Sequence, residues 1–341
     1  ARPPAAARLE HRVRMTSATP ALRWKHRGEL WLARWLRRWF RLRPLWLEDA
    51  PAPAFALHAA GAGGAAQAAA GAIPRIIWSY WQGGTPPLLV RRCFDNWRRL
   101  HPHFEIRILD ERGALQYLPA IPRALDGASA AKRADWVRLE LLRRHGGIWL
   151  DASTILTQPL DWVLAEQART GADFVGYYLQ QYTSAPDRPV VENWFMAAPP
   201  ASPFIEDLQR EFTGEAIGRS GEEYIAHLRA QGLYERALQR IDMPAYLSMH
   251  LALQVVLLRG GAYRLCLARA EAGPYLYHVL GRWRRTALKL RLLFARVRGP
   301  LPPLIKLRSP DRRRLDDYLA RGLYLPESVA GQWLAGGEAP R

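Results

Sequence analysis

The chain has 341 residues, about half of them hydrophobic, which is enough to bury a full core in one large domain or two modest ones. It has two cysteines, Cys93 and Cys266, too few for a disulfide framework or for a zinc site by themselves. The formal net charge is +18 and is concentrated at two ends: residues 1–47 hold 12 Lys or Arg against two acids, and residues 282–314 hold 12 against one. This distribution suits contact with an anionic surface, either a membrane or a nucleic acid.

The N-terminal region is rich in arginine throughout, unlike a signal peptide, and no run of about 18 apolar residues predicts a membrane span. Residues 29–47 are predicted to form an amphipathic helix, because apolar residues recur there at helical spacing. Its apolar residues are Trp31, Leu32, Trp35, Leu36, Trp39 and Phe40, and its basic residues are Arg34, Arg37, Arg38 and Arg41. Such a helix either lies on an anionic membrane or packs its apolar side on the main domain, and both possibilities remain open.

Composition and periodicity divide the remaining chain. Residues 51–72 are almost entirely Ala, Gly and Pro and predict a flexible linker after an arm at 1–50. The main domain is expected at 73–280, followed by a basic C-terminal extension at 281–341. Strands are predicted at 73–80, 104–109, 147–150, 173–179 and 193–198, and helices at 129–145, 203–212, 221–239 and 247–259. Strands that alternate with helices in this way predict an α/β fold with a mostly parallel sheet.

The segment from Ser129 to Thr154 is the most informative. Ser129 is a suitable N-cap for a helix that ends near His145, and Gly146 is a stop signal. A short apolar strand follows, with Asp151 at its C-terminal end. Because ligands of open α/β sheets bind beyond the carboxyl ends of strands, Asp151 stands where a functional carboxylate is expected.

Asp135 and Arg138 lie three residues apart on this helix and therefore share a face. Together with Asp151 they offer carboxylates for sugar hydroxyls and a planar guanidinium for a diphosphate. The structural alternative is an ion pair within the helix, with Asp151 capping a loop.

Two strings favour the first interpretation: I-P-R-I-I-W-S-Y-W-Q-G-G, from Ile73, and A-K-R-A-D-W-V-R-L-E-L-L-R-R-H-G-G-I-W-L-D-A-S, which ends at Ser153. Together they resemble the capsular polysaccharide synthesis family over about residues 73–200. That family is related to glycosyltransferases with a sugar-binding region containing a DXD motif, which include initiating mannosyltransferases and large clostridial glucosylating toxins. The resemblance implies a GT-A-type, Rossmann-like nucleotide-sugar-binding domain.

The resemblance also implies roles for individual residues. Trp78 matches an aromatic residue that stacks on the base of the donor, and Ile77 lines the same pocket. Asp135 and Arg138 match the pair that contacts the donor sugar and its phosphate. Asp151 matches the first acid of the D-x-D element, which engages the ribose and a divalent metal. For Trp78, the alternative is a core position in the first strand.

The element reads Asp151-Ala152-Ser153 and so departs from the strict D-x-D form. Ser153 is a neutral ligand, whereas Mg²⁺ and Mn²⁺ prefer carboxylate, phosphate and water oxygens. We therefore expect Asp151 and the donor's diphosphate to hold most of the Mn²⁺ or Mg²⁺, with His278 as a further candidate ligand. Lys306 or an arginine of the C-terminal extension is a candidate to share the neutralisation of the diphosphate. Glu192 and Asn193 are candidates for contact with the acceptor or the sugar.

These observations predict a metal-dependent, retaining hexosyltransferase of capsular or surface polysaccharide biosynthesis. It would use a UDP- or GDP-sugar and a glycan or lipid-linked acceptor. A cytoplasmic location, with peripheral contact to the anionic inner face of the cell membrane, is a further hypothesis. The alternatives are an inactive scaffold of a polysaccharide-assembly complex and a basic protein that binds nucleic acid or another polyanion. No nucleic-acid-binding motif is present, so no specific nucleic-acid partner is expected.

Overall fold

The computed structural model describes residues 24–60 and 71–336, and a seven-stranded sheet lies at its centre. The strands are β1 (Leu45–Trp46), β2 (Ala56–Ala60), β3 (Ile76–Tyr80), β4 (Glu105–Leu109), β5 (Gly147–Leu150), β6 (Thr154–Leu156), β7 (Phe174–Tyr178), β8 (Val191–Ala198), β9 (Tyr263–Arg269), β10 (Ala295–Arg296) and β11 (Leu304–Lys306).

Helices connect and cover these strands. They are α1 (Trp24–Leu42), α2 (Leu88–Leu100), α3 (Glu111–Ala114), α4 (Ala130–His145), α5 (Asp161–Thr170), α6 (Pro203–Glu211), α7 (Gly221–Ala230), α8 (Tyr234–Leu238), α9 (Ser248–Arg259), α10 (Leu276–Leu280), α11 (Arg285–Phe294), α12 (Leu315–Ala320) and α13 (Val329–Trp333). Within the described residues, no helix is both long enough and apolar enough to cross a membrane.

The central sheet has the order β2-β9-β7-β8-β5-β3-β4. Strands β9, β7, β5, β3 and β4 run in one direction, and β2 and β8 run against them. The predicted fold class, one mixed and mostly parallel sheet flanked by helices, is therefore confirmed. Both faces of the sheet are buried, since Ile77 and Ile148 belong to one apolar cluster while Trp78 and Trp149 belong to the other.

The two ends of the described chain pack together on one face of the sheet. Helix α1 lies against α11, with the Phe40 and Phe294 rings stacked at 6.2 Å, and β1 pairs with β10. Glu29 accepts hydrogen bonds from Lys289 and Tyr318, each at 3.0 Å, and forms an ion pair with Arg314. The N-terminal arm and the C-terminal extension, predicted as separate segments, are thus joined by packing and by partly buried ion pairs.

The predicted linker at 51–72 requires correction. Residues Ala56–Ala60 form β2, an edge strand antiparallel to β9. Backbone hydrogen bonds build this strand, and a small-residue sequence supplies them without any apolar periodicity. Residues 61–70 lie outside the described residues. The C-terminal extension also enters the main domain, because β11 pairs with β6 and brings Lys306 opposite Thr154.

Candidate active site

A tight glycine turn sets the geometry of the site. Gly146 and Gly147 have φ of +61° and +103°, and a Cβ atom on Gly147 would lie 2.8 Å from the Ile76 carbonyl oxygen. Ser129 caps the start of α4 by accepting from the Lys132 amide at 3.3 Å, as predicted. The turn folds α4 back along β5. A helix rises ~1.5 Å and a strand ~3.3 Å per residue, so Arg138 on α4 and Asp151 after β5 reach about the same level along the strand direction.

Four charged side chains meet at the carboxyl end of β5, and we call them the charge cluster: Asp135, Arg138, Asp151 and Lys306. Arg138 donates from Nη1 to Asp135 Oδ1 at 2.5 Å and from Nη2 to Asp151 Oδ1 at 2.9 Å. Lys306 Nζ donates to Asp151 Oδ2 at 2.5 Å. The cations are the buried members, with side chains 4% and 8% exposed, whereas the Asp151 side chain is 32% exposed. The cluster therefore opens to solvent at Asp151.

Neighbouring aromatic and amide groups hold the cluster in place. The Trp149 indole donates to Asp151 Oδ1 at 3.2 Å, and the Arg138 guanidinium lies 4.8 Å from the Trp149 ring centroid. The Asn193 amide donates to Asp135 Oδ1 at 3.2 Å. The predicted residues Asp135, Arg138, Asp151 and Asn193 are thus brought together, and Lys306 reaches them from 155 residues away in sequence.

The ionisation of the cluster follows from these contacts. Burial alone would raise the pKa of Asp151, but Lys306 and Arg138 outweigh it and hold that pKa below its ordinary value. Burial raises the pKa of Asp135, and the nearby Asp151 charge adds to that effect, although Arg138 opposes it. Burial lowers the pKa of Lys306, partly offset by Asp151. Asp151 is therefore the carboxylate most firmly held in the charged form.

Glu192 is placed one residue from Asn193 on β8 but has a different partner. Its carboxylate lies 3.3 Å from His250 Nε2, and both side chains are buried. His250 is close enough to Asp135 to lower the pKa of that carboxyl. The Nδ1 atom of His250 is buried without a hydrogen-bond partner in the described structure. Glu192 is thus paired with His250 in the interior and is not exposed to a ligand.

Ile77 and Trp78, predicted to line the base pocket, lie in the core. Both are fully buried, and the Trp78 indole donates to the Gly146 carbonyl oxygen at 2.8 Å. Its ring packs against Tyr117 and Arg107. The physical reason is that β3 is an inner strand of a sheet covered on both faces, so residues pointing either way are buried. Trp78 supports the glycine turn and presents no free face to a base in this structure.

Two aromatic residues with polar atoms that are unpartnered in the described part of the chain lie at the carboxyl end of β3, just beyond Trp78. Tyr80 is the last residue of that strand, and its hydroxyl is buried without a partner among the described residues. The Trp81 indole nitrogen is also buried and unpartnered there. Burial, together with the Glu111 charge, raises the pKa of Tyr80, so its hydroxyl stays available as a donor. Ligands of open α/β sheets bind beyond the carboxyl ends of strands, which is why Asp151 was predicted, and the same rule indicates Tyr80 and Trp81.

The predicted metal ligands do not converge. The Ser153 hydroxyl is buried and donates to the Leu307 carbonyl oxygen at 2.9 Å. His278 Nε2 lies 2.9 Å from Asp311, and both side chains are 1% exposed. Across residues 24–60 and 71–336, no group of three His, Cys, Asp or Glu side chains is arranged to hold a metal ion. Both Asp151 oxygens already accept from cations, so the donor set does not fit a divalent ion held by the protein.

Comparisons with known proteins show what this chain is similar to. Residues 66–213 match the family model described as "Capsular polysaccharide synthesis protein", which confirms the predicted resemblance for that stretch. The O-glycosyltransferase braB of Annulohypoxylon truncatum is 29% identical over 149 residues, covering 38% of this chain and 35% of that protein. Glycosyltransferase afumC of Aspergillus fumigatus is 27% identical over 143 residues, covering 36% of each chain. The chain thus spans about a third of the length of these curated relatives.

Among solved structures, the UDP-bound glycosyltransferase domain from the YGT toxin is similar at a TM-score of 0.31 and 11% identity. The match covers 57% of this chain and 80% of that one.

Proposed function

We propose that this chain, whose residues 66–213 match the capsular polysaccharide synthesis family, transfers a sugar from a nucleotide-sugar donor to an acceptor hydroxyl. The observation that carries the proposal is the charge cluster at the carboxyl end of β5. Two buried cations meet one partly exposed carboxylate there, at the edge of the sheet where ligands of α/β folds bind. The names of the relatives, an O-glycosyltransferase and a glycosyltransferase, support the same reaction class.

The cluster supplies what the reaction requires. During transfer, the bond between the anomeric carbon and the diphosphate oxygen breaks, and its electron pair leaves with the nucleoside diphosphate. A new bond forms to the acceptor oxygen, and the acceptor's proton is released. Lys306 and Arg138 would neutralise the charge that accumulates on the departing diphosphate. Asp151 and Asp135 would accept hydrogen bonds from the donor's hydroxyl groups.

The nucleoside would extend along the carboxyl edge of the sheet toward β3. Tyr80 and Trp81 offer unpartnered donors at that edge. A buried donor without a partner costs free energy, and a polar ligand removes that cost.

The predicted Mn²⁺ or Mg²⁺ is not part of the proposed mechanism, because the donor set at Asp151 does not fit an ion held by the protein. The two cations of the cluster supply the positive charge instead. A role in surface polysaccharide assembly stays a prediction that the family name supports. Retention of configuration and a glycan or lipid-linked acceptor also stay predictions.

An inactive scaffold is the main alternative. The charge cluster argues against it, since burying Arg138 and Lys306 costs free energy that an apolar replacement would avoid. Binding of a polyanion relies on cations at the surface, whereas Arg138 and Lys306 are enclosed beside carboxylates, so the charge cluster is not suited to that function.

Thermal unfolding with and without nucleotide sugars tests the proposal. UDP- and GDP-sugars are compared on the wild type and on Asp151→Asn, in Mn²⁺ and in EDTA. A bound donor at about 100 times its Kd stabilises the wild type by about 2.7 kcal/mol, and this gain is lost in Asp151→Asn. Asp161→Asn, which removes an exposed ion pair with Arg75, serves as the control and keeps the full gain. A well-folded wild type that no donor stabilises would contradict the proposal.

A further inference from the structure

The outer side of α1 presents aromatic residues to solvent. Trp31, Trp35 and Trp39 are spaced by four residues and are 66%, 47% and 41% exposed, and the Trp35 and Trp39 rings stack at 5.3 Å. Leu32 and Leu42 extend the same side, at 46% and 84% exposed. We call these five residues the tryptophan face. Exposed apolar patches of this kind mark contact sites for partners or membranes.

The opposite side of α1 holds the helix on the protein body. Leu30 and Ala33 are buried there, and Phe40 stacks on Phe294. Glu29 adds an electrostatic anchor: burial alone would raise its pKa, but hydrogen bonds from Lys289 and Arg314 lower the pKa to about 2. Since one side of the helix is fixed in this way, the tryptophan face is held outward and does not belong to the core.

Arginines line one flank of the tryptophan face. Arg34, Arg38 and Arg41 are exposed, and no carboxylate of the described residues lies within ion-pair distance of them. Burial and the positive charges of Arg41 and Arg38 together lower the pKa of Arg37, which shows how closely these cations crowd. Crowded like charges repel one another, so this flank is suited to an anionic partner.

Two further arginines each lie over the ring of an exposed tryptophan. Arg43 lies 5.1 Å from the Trp39 ring centroid, and Arg298 lies 4.8 Å from the ring centroid of Trp46, which is 46% exposed. Trp46 belongs to β1, which pairs with β10 in the C-terminal basic segment. Arg296 of β10 also donates to the Arg41 carbonyl oxygen at 3.3 Å, so the two basic ends of the sequence meet at the end of α1.

We propose that the tryptophan face and its arginine flank form a docking surface for the anionic surface of a lipid bilayer, with α1 lying in the membrane plane. Tryptophan is favoured at the membrane–water interface, and arginine is attracted to anionic headgroups. A second copy of this chain fits less well, because a symmetric interface would place arginine against arginine. A nucleic acid would leave Leu32 and Leu42 without an apolar partner. This proposal goes beyond sugar transfer and can be tested without it.

Vesicle co-sedimentation of the full chain tests the proposal, with phosphatidylcholine vesicles that contain or lack phosphatidylserine. The wild type sediments with the anionic vesicles. The triple variant Trp31→Ser, Trp35→Ser, Trp39→Ser binds at least ~10-fold more weakly. The variant Arg34→Gln, Arg38→Gln, Arg41→Gln loses about fivefold for each arginine. All six side chains are exposed, so the melting temperatures of both variants stay close to that of the wild type.

A control with the same change in net charge separates the surface from the overall basicity of the chain. Arg112→Gln, Arg123→Gln, Arg236→Gln removes three exposed arginines associated with the other face of the sheet, and it should bind vesicles as the wild type does. An equal loss in this control, or equal binding to vesicles without phosphatidylserine, would overturn the proposal. The proposal would also be overturned if the wild type did not bind vesicles but formed a dimer, and the triple tryptophan variant were a monomer. The surface would then join two copies of the chain.

Discussion

The charge cluster and the tryptophan face place similar side chains in opposite settings. In the charge cluster, Arg138 and Lys306 are buried and each has a carboxylate partner. On the flank of the tryptophan face, Arg34, Arg38 and Arg41 are exposed, and no described carboxylate pairs with them. Trp149 is likewise buried against Arg138, whereas Trp35 and Trp39 stack in solvent.

This difference separates two uses of cationic and aromatic groups. A buried and paired cation is positioned before a ligand arrives, so it can stabilise developing charge at little cost in reorganisation. An exposed cation gives little to folding stability, and its value lies in attraction to an external anionic surface. Substitutions in the charge cluster should therefore change catalysis, whereas substitutions on the tryptophan face should change location.

Replacing Lys306 tests the first use most directly. Lys306→Met keeps the length of the side chain but removes its positive charge. We expect kcat/KM for sugar transfer to fall by ~100-fold, because the leaving diphosphate loses one of two neutralising cations. Steady-state assays in EDTA and in Mn²⁺ measure the effect.

Lys289→Met is the matched control, since Lys289 is also a partly buried lysine paired with an acid, but it lies against α1. Its kcat/KM should stay within about twofold of the wild-type value. A transfer rate that requires Mn²⁺ and is unchanged in Lys306→Met would show that a metal ion, and not Lys306, neutralises the diphosphate.

The pH dependence of the stability that Glu29 contributes tests how firmly α1 is held on the protein body. Its pKa of about 2 lies below the ordinary value of 4.5, so ionised Glu29 stabilises the fold above pH 4.5 and that contribution is lost as the pH falls toward 2. Glu29→Gln should lower the free energy of unfolding by ~1 kcal/mol at pH 7, because solvent screens this partly exposed carboxylate, and by much less near pH 2. Urea unfolding at several pH values measures the difference. A difference that stays constant with pH, or an equal loss in the exposed Glu222→Gln, would contradict this role.

Local signals explain which parts of the fold were predictable. The Ser129 cap, the Gly146 stop and the apolar run before Asp151 act over a few residues, so α4, β5 and the position of Asp151 followed from sequence. The partnership of Lys306 with Asp151 depends on the pairing of β11 with β6, which no local pattern encodes. Helix α5 (Asp161–Thr170) was not predicted, because its segment shows no clear apolar periodicity. Strand β9 (Tyr263–Arg269) was also not predicted, although Tyr263, Leu265 and Leu267 alternate along it.

Helical periodicity has a similar limit at α1. It identified an apolar side of the helix but not which part of that side would turn inward. Leu36 and Phe40 pack against the body, whereas Trp31 and Trp35 face outward, although all four belonged to one predicted apolar side. The choice depends on the surface that receives the helix, notably Phe294 and the partners of Glu29, which lie more than 240 residues away in sequence.

One glycine in each region allows the backbone constraints of the charge cluster and of α1 to be compared. Gly147 has φ of +103°, and an added Cβ would lie 2.8 Å from the Ile76 carbonyl oxygen and 2.9 Å from the Trp78 indole nitrogen. Gly147→Ala should therefore lower the free energy of unfolding by ~2 kcal/mol and weaken donor binding, because β5 must shift and carry Asp151 with it.

Gly28 lies in α1 with nothing within 4 Å of an added Cβ. Gly28→Ala should stabilise the protein by ~0.5–1 kcal/mol through helix propensity and leave donor binding unchanged.

Urea unfolding and donor-induced thermal shifts measure both substitutions side by side. A loss of donor binding in Gly147→Ala without a loss of stability would mean that the turn positions Asp151 at no cost to the fold. Equal and small effects at both glycines would mean that the turn tolerates a side chain. In that case Arg138 and Asp151 would be aligned by their own ion pair and not by the close approach of β5 to Ile76.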